Sequence, residues 1–265
     1  MIRVASTPGP FGRGLARPGC AAIGVVWVIA CLFCSAAALP SERSHPLPGV
    51  GGADPRTRVD GGQAPWRAVA RLQVPGVSRC TAVVLAPRLA VTAAHCLWSR
   101  RLGGWVPAGM VHVLTGYAAG AFSHHMLAVS LRIAPGYDPA DTGGTRGADL
   151  ALVTLAAPAG DVLSLATGTF PPGTAAVLGG YNQDRAEVIE ADPHCAVTGI
   201  TQDRQGRALL LHDCSATRGT SGGPLLAHAE GGGLLLAGIQ VGSRQAEAGG
   251  VAIPAEAVRR LLAQP

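Results

Sequence analysis

The chain has 265 residues, 48% hydrophobic and only 14% charged, which is enough to fill one or two globular cores and too apolar for a disordered or fibrous protein. The formal net charge of +5 falls to +2 once Arg3, Arg13 and Arg17 of the first 38 residues are set aside, leaving 18 basic against 16 acidic residues. Every basic residue is an arginine, and they are scattered without a basic, aromatic-interleaved face, a charge run or an internal repeat, so no nucleic-acid partner is expected.

In chain order, three arginines precede an uncharged apolar run from Ala21 to Leu39 that closes on Ala36-Ala37-Ala38, a small-x-small cleavage pattern. This predicts a signal peptide over residues 1–38, cut after Ala38. The nineteen residues of the run also just span a bilayer core of ~30 Å, so an uncleaved signal anchor is the alternative. Either way the positive end stays cytoplasmic and the rest is exported, secreted or periplasmic, with membrane contact only if the leader is uncleaved. Val28-Ile29-Ala30-Cys31 has the form of a lipoprotein box, but apolar residues continue past Cys31. Residues 39–57, rich in Pro, Gly, Ser and charge, read as a flexible lead-in or propeptide.

From there 37 glycines and 20 prolines cut the chain into short segments. Ala68–Val74, Thr81–Leu85, Val111–Leu114, Leu150–Leu155, Ala175–Leu178, Ala208–Leu211, Leu234–Val241 and Gly250–Ile253 read as strands between Gly, Pro and Asp turns, an all-β pattern. Pro254–Ala263 is the exception. Proline at its start, Glu256 in the first turn, Arg259 and Arg260 near the end, and apolar Val258, Leu261 and Leu262 predict a terminal helix.

Three segments carry chemistry. Arg218-Gly219-Thr220-Ser221-Gly222-Gly223-Pro224 sets one serine among glycines that leave its backbone amides unobstructed. Thr92-Ala93-Ala94-His95-Cys96 and Gly147-Ala148-Asp149-Leu150-Ala151-Leu152 lie upstream. A serine hydroxyl needs a base of pKa near 7 to become a nucleophile, and histidine is that base. A carboxylate on the far ring nitrogen then fixes the tautomer and stabilises the imidazolium. Asp149 suits that role, with Asp138 and Asp141 as alternatives.

The Thr-Ala-Ala-His-Cys, Asp-Leu-Ala-Leu and Gly-x-Ser-Gly-Gly-Pro segments, in this order and spacing, resemble the chymotrypsin-like (trypsin-like) serine endopeptidases, from about Arg58 to the C-terminus. The resemblance implies two antiparallel six-stranded β-barrels with a catalytic cleft between them, near residues 156–172, and a short C-terminal helix. The protease domain would be residues 58–265, with the first barrel at about 60–156, the second at about 172–253 and the helix at 254–263. It implies His95 as general base, Asp149 as its orienter, Ser221 as nucleophile, and an oxyanion hole at the backbone N–H groups of Gly219 and Ser221, donors that each matter by about 10²–10³ in rate. Substrates would be proteins or peptides, the enzyme a monomer, and no cofactor is needed.

Setting aside Cys20, Cys31 and Cys34 in the leader leaves Cys80, Cys96, Cys195 and Cys214, which allow three pairings. The family pins the loop of its catalytic histidine with a disulfide, which implies Cys80–Cys96 and, by remainder, Cys195–Cys214. Each closes a loop worth about 3 kcal/mol in the chain-entropy model. Metal binding finds no support. Cys31-x-x-Cys34 sits in the leader, His-Glu-x-x-His is absent, and His124-His125 reads as a solvated turn or strand-edge pair.

Two departures from the family's patterns matter. In the vertebrate type an aspartate before the nucleophile binds a freshly cut N-terminus. Here that residue is Thr220, so Arg58-Val59-Asp60-Gly61-Gly62 only faintly resembles a cut site, activity without cleavage at Arg58 is expected, and the pattern is closer to the bacterial glutamyl-endopeptidase-like branch. The floor of the primary pocket falls on Ser215, where trypsins hold an aspartate, so a preference for Arg or Lys is not implied. The glutamate-binding hydroxyl and histidine positions fall on Ala216 and Gln240, with Gly242 beside them, which points to a neutral residue. Arg218 is placed to attract acidic substrate at the cleft mouth or to be a solvated loop charge. The rival reading is a catalytically silent protease-fold binding protein of the cell envelope, but all three chemical residues are present. An envelope quality-control protease with a peptide-binding module would need residues beyond the terminal helix.

Overall fold

The computed structural model describes residues 47–229, 232–245 and 247–264. The leader of residues 1–38, its three cysteines and the first part of the lead-in, 39–46, lie outside the described residues. No described helix is long and apolar enough to cross a membrane.

Six strands close the first barrel: β1 (Val69–Val74), β2 (Ser78–Ala86), β3 (Leu89–Thr92), β4 (His112–Thr115), β5 (His124–Ile133) and β6 (Ala151–Leu155), in the order β1-β2-β3-β6-β5-β4. Six more close the second: β7 (Ala175–Gly180), β8 (Glu190–Gln202), β9 (Ala208–His212), β10 (Pro224–His228), β11 (Leu234–Ser243) and β12 (Gly250–Pro254). Their order, β7-β8-β9-β12-β11-β10, repeats the first barrel's pattern strand for strand, and all pairs are antiparallel. Closure leaves no free edge in either barrel.

All eight strands read from the sequence are present. The four that the sequence reading did not single out share a physical reason. β5 turns most of its length to solvent, β8 mixes polar with apolar residues and contains Pro193, β10 opens on Pro224, and β3 is four residues long. Only their tertiary pairing makes them strands. The terminal helix α1 (Ala255–Leu262) starts after Pro254 and buries Ala255, Val258 and Leu261, close to the predicted span. One hydrophobic cluster runs through both barrels, from Leu72 and Val83 in the first to Leu226 and Ile253 in the second.

The lead-in residues 47–57 pack on the second barrel. Val50 is buried, the Ala216 N–H donates to the Gly49 carbonyl at 2.9 Å, and Thr57–Arg58 pair with Ala191 and Glu190 of β8. Gly49 has φ +84°, and a Cβ there would stand 2.0 Å from the Ala216 carbonyl oxygen, so only glycine fits this contact.

Candidate active site

His95 sits in a short 3-10 turn, Ala94–Leu97, directly after β3, and Asp149 follows another, Arg146–Ala148, just before β6. Both turns lie at ends of adjacent barrel strands, so pairing of β3 with β6 brings them together. Asp149 is buried, 3% exposed, and grips His95 twice: Oδ2 lies 2.6 Å from Nδ1, and Oδ1 accepts the backbone N–H at 2.8 Å. The carboxylate makes Nδ1 the donor and leaves the Nε2 lone pair free. Burial works against the imidazolium, but the charge and hydrogen bond of Asp149 outweigh burial and the opposing charge of Arg146. The His95 pKa is therefore raised above its ordinary 6.5.

Asp138 and Asp141 are spent elsewhere. Asp138 accepts from the Ala140 N–H, and Asp141 holds the Gly144 N–H and pairs with Arg204.

Ser221 comes from the second barrel, in the loop before β10. It lines one cleft of about 820 Å³ together with His95, Cys96, Arg218 and Gly219. Its hydroxyl makes no hydrogen bond among the described residues. The cleft lies between the barrels, but no residue of 156–172 lines it, contrary to the expectation from the sequence. That connector instead lies along β11, with the Leu236 N–H donating to Ser164 and the Ala166 N–H to Leu236.

The loop around Ser221 is held in one shape. The Gln183 N–H donates to the Arg218 carbonyl at 2.6 Å and the Thr81 hydroxyl to the Gly219 carbonyl at 2.9 Å, so the peptide on each side of Gly219 is fixed. Gly219 has φ +93°, and a Cβ would stand 2.4 Å from the Tyr181 carbonyl oxygen. The N–H groups of Gly219 and Ser221 have no acceptor among the described residues. Two unengaged amides beside an unengaged hydroxyl are what an oxyanion requires.

A buried network with no sign in the sequence lies behind this loop. Asn182 Oδ1 accepts the Thr217 N–H at 2.9 Å and the Thr220 hydroxyl at 2.8 Å. The Thr217 hydroxyl donates to Asp184 at 2.5 Å. Asp184 in turn takes a two-pronged bond from Arg56, at 3.0 and 2.8 Å, and Arg56 also binds Asp54 and faces Glu190 at 3.9 Å. The Arg56 side chain is 0% exposed. Burial would raise the Asp184 pKa, but Arg56 and Thr217 bring it down to about 2.

Of the sequence-derived pocket residues, Arg218 is exposed in the cleft, while Ser215, Ala216 and Gln240 are buried and Gly242 is half-buried. The Ser215 N–H donates to Asp192 at 2.8 Å. The Gln240 amide is engaged from within. His212 Nδ1 accepts the Cys214 N–H, so its Nε2–H donates to Gln240 Oε1 at 2.7 Å, and Gln240 Nε2 donates to the Gly242 carbonyl at 3.0 Å. His212 is buried, which lowers its pKa and keeps it neutral despite Gln240 and nearby acids. A lone histidine in an apolar strand offered no signal for this contact.

Disulfides join Cys80 to Cys96 and Cys195 to Cys214, as expected. Among the described residues, the two clusters with metal-ligand spacing, Cys80-His95-Cys96 and Cys195-Asp213-Cys214, each contain one of these bridges, whose sulfurs are no longer thiolates and so are poor ligands. His124 and His125 lie exposed at the start of β5, and His125 stacks on His112.

Residues 55–262 match the family model described as Trypsin. The chain belongs to the trypsin family. It is a serine endopeptidase by that membership. The protease's fold is similar to that of a Glu endopeptidase solved in complex with MPD, with a TM-score of 0.66 and 21% identity over 81% of this chain and 100% of that one. It is also similar to the Rv3671c protease in its inactive form, with a TM-score of 0.52 and 18% identity over 74% and 88% of the two chains. No curated protein matches the protease. Two disulfides fit an oxidising compartment, extracellular or periplasmic.

Proposed function

We propose that this protein is an exported serine endopeptidase that cuts peptide bonds through an acyl-enzyme, with His95, Asp149 and Ser221 as its triad. The observation that carries the reading is the pair of hydrogen bonds from His95 to Asp149 in the cleft where the Ser221 hydroxyl stands unengaged. His95 Nε2 takes the proton of Ser221 as Oγ attacks the carbonyl carbon. The tetrahedral oxyanion is met by the N–H groups of Gly219 and Ser221. The same proton then passes to the leaving amine, the C–N bond breaks, and the acyl group stays on Ser221. A water, deprotonated by His95, releases the acid.

Ser215, Ala216, Gln240 and Gly242 would form the primary pocket. No charge on these four residues faces the substrate, which supports a neutral side chain there. The leader of residues 1–38 would direct export. Cleavage after Arg58 is not required, because the Thr220 hydroxyl is bound by Asn182, and Arg56, not a new N-terminus, brings positive charge to the Asp184 carboxylate.

Labelling with a fluorophosphonate probe tests the reading. Labelling is expected to be lost in both Ser221→Ala and His95→Ala. Labelling that persists in Ser221→Ala, or a folded wild-type protein that never labels, overturns it.

A further inference from the structure

The cleft shared by His95 and Ser221 is basic on the side where the leaving amine must depart. The acyl half of a substrate stays bonded to Ser221, with its side chain directed to the loop at 215–216 and the strand at 240–242, none of which lines this cleft. The amine half takes its proton from His95 and leaves past it. The cleft wall beyond His95 is the β1–β2 hairpin turn from Gln73 to Cys80, together with Cys96 and Arg100.

Three guanidinium groups line that space: Arg79 on β2, Arg100 after the His95 turn, and Arg218 in the nucleophile loop. All three are exposed, and none makes an ion pair among the described residues, whereas Arg56, Arg71, Arg185 and Arg207 do. Arg79 is felt by Glu187, but that carboxylate is already bound by the Tyr117 hydroxyl and by Arg71. Arg101, also exposed and without an ion pair among the described residues, reaches the same hairpin, its Nη2 4.0 Å from where a Cβ would stand on Gly76. Among the described residues no Asp or Glu lines the cleft. In a chain that is only 14% charged, uncompensated cations gathered on one concave wall make a positive field that a folded protein does not need for its stability.

We infer that the leaving-group side of the site is built for acidic peptides, with Asp or Glu in the first three positions after the cleaved bond. This rests on the endopeptidase reading above and specifies which half of the substrate carries its charge. An extended peptide advances about 3.3 Å per residue, so guanidinium groups on long side chains reach two or three successive residues. Screening by water keeps each contact modest, so the preference is cumulative and depends on salt.

The test uses peptides identical up to the cleaved bond, fixed from a cleavage profile, whose second and third residues beyond it are acids, the matching amides, or lysines. At low salt kcat/KM is expected to rise about tenfold from amide to acid and to fall by a similar factor for lysine. The spread should collapse in about 0.5 M salt, where the Debye length is only a few ångström. The double variant Arg79→Glu/Arg218→Glu should invert the order. In parallel, fluorescence anisotropy with Ser221→Ala measures affinity for the acidic and amide peptides without turnover. Equal kcat/KM across the three peptides, or an order unmoved by salt and charge reversal, overturns the inference. If no peptide is cut, the endopeptidase reading falls, and anisotropy still decides: preference for acid upholds the basic subsite, and equal affinity refutes it.

Discussion

Replacing Arg56 with methionine removes one guanidinium and keeps most of its stem. The Arg56 side chain, 0% exposed, makes four hydrogen bonds to Asp54 and Asp184 and faces Glu190. Asp184 and Glu190, 19% and 3% exposed, would lose that counter-charge, while Arg185 still holds Glu190 at 2.6 Å. Breaking a buried pair from one side costs about 3–5 kcal/mol, and the surviving Arg185 contact places this case near 3. For a domain of this size that is a fall in melting temperature of about 10 °C. Because Asp184 receives the Thr217 hydroxyl, the loop carrying Gly219 should loosen as well, lowering kcat more than it changes KM. Urea unfolding with disulfides intact reads the first effect and steady-state kinetics the second. Removing Asp184 as well, in Arg56→Met/Asp184→Leu, should recover part of the stability, since it leaves one fewer buried charge unpaired. A single variant with an unchanged midpoint and unchanged kcat would refute the reasoning.

Other outcomes follow from the same geometry. Asp149→Asn should fold normally and lower kcat by roughly 10⁴, since an amide no longer enforces the tautomer that leaves Nε2 as acceptor. In the proposed triad His95 must be neutral to act as the base, and its pKa is raised, so the acid limb of kcat/KM should have its midpoint above pH 6.5 and activity should be lost as pH falls through it. The depressed pKa of Asp184 gives stability that is complete above about pH 4 and is lost as pH falls toward about 2, which unfolding midpoints across that range would show. Reducing Cys80–Cys96, whose cysteines lie 16 residues apart, should cost about 3 kcal/mol and free the His95 turn, with activity lost before global unfolding.

The parts of the site legible in the sequence are those written locally. His95, Asp149 and Ser221 each sit in a short run whose neighbours have their own reasons to be there: Cys96 for its bridge, Leu150 to Leu152 for the core, Gly219 for its φ. The Asp-Leu-Ala-Leu run singles out Asp149 over Asp138 and Asp141 only through the family resemblance; the pairing of β3 with β6 that sets it beside His95 is written in no local pattern. The Arg56–Asp184–Thr217 chain was illegible because its members come from three distant segments and each looks like an ordinary surface polar residue. The twin barrels also share one topology without any repeat in the sequence. Strand order depends on which apolar faces meet and not on which apolar residues make them, so the duplication leaves no trace that a sequence comparison within the chain can see.

Thr81 belongs to the first barrel, yet its N–H goes to the Ser221 carbonyl at 2.8 Å and its hydroxyl to Gly219, while it receives the N–H of Tyr181. His95 and Ser221 therefore come from different barrels, and the gap between them is a docking coordinate, not a property of either barrel. A slip of an ångström at this seam would disturb neither set of sheet hydrogen bonds and would still part Ser221 from His95. Gentle warming should then silence the protein while its circular dichroism is unchanged, and any substrate long enough to touch both barrels should act as a clamp that holds the seam shut.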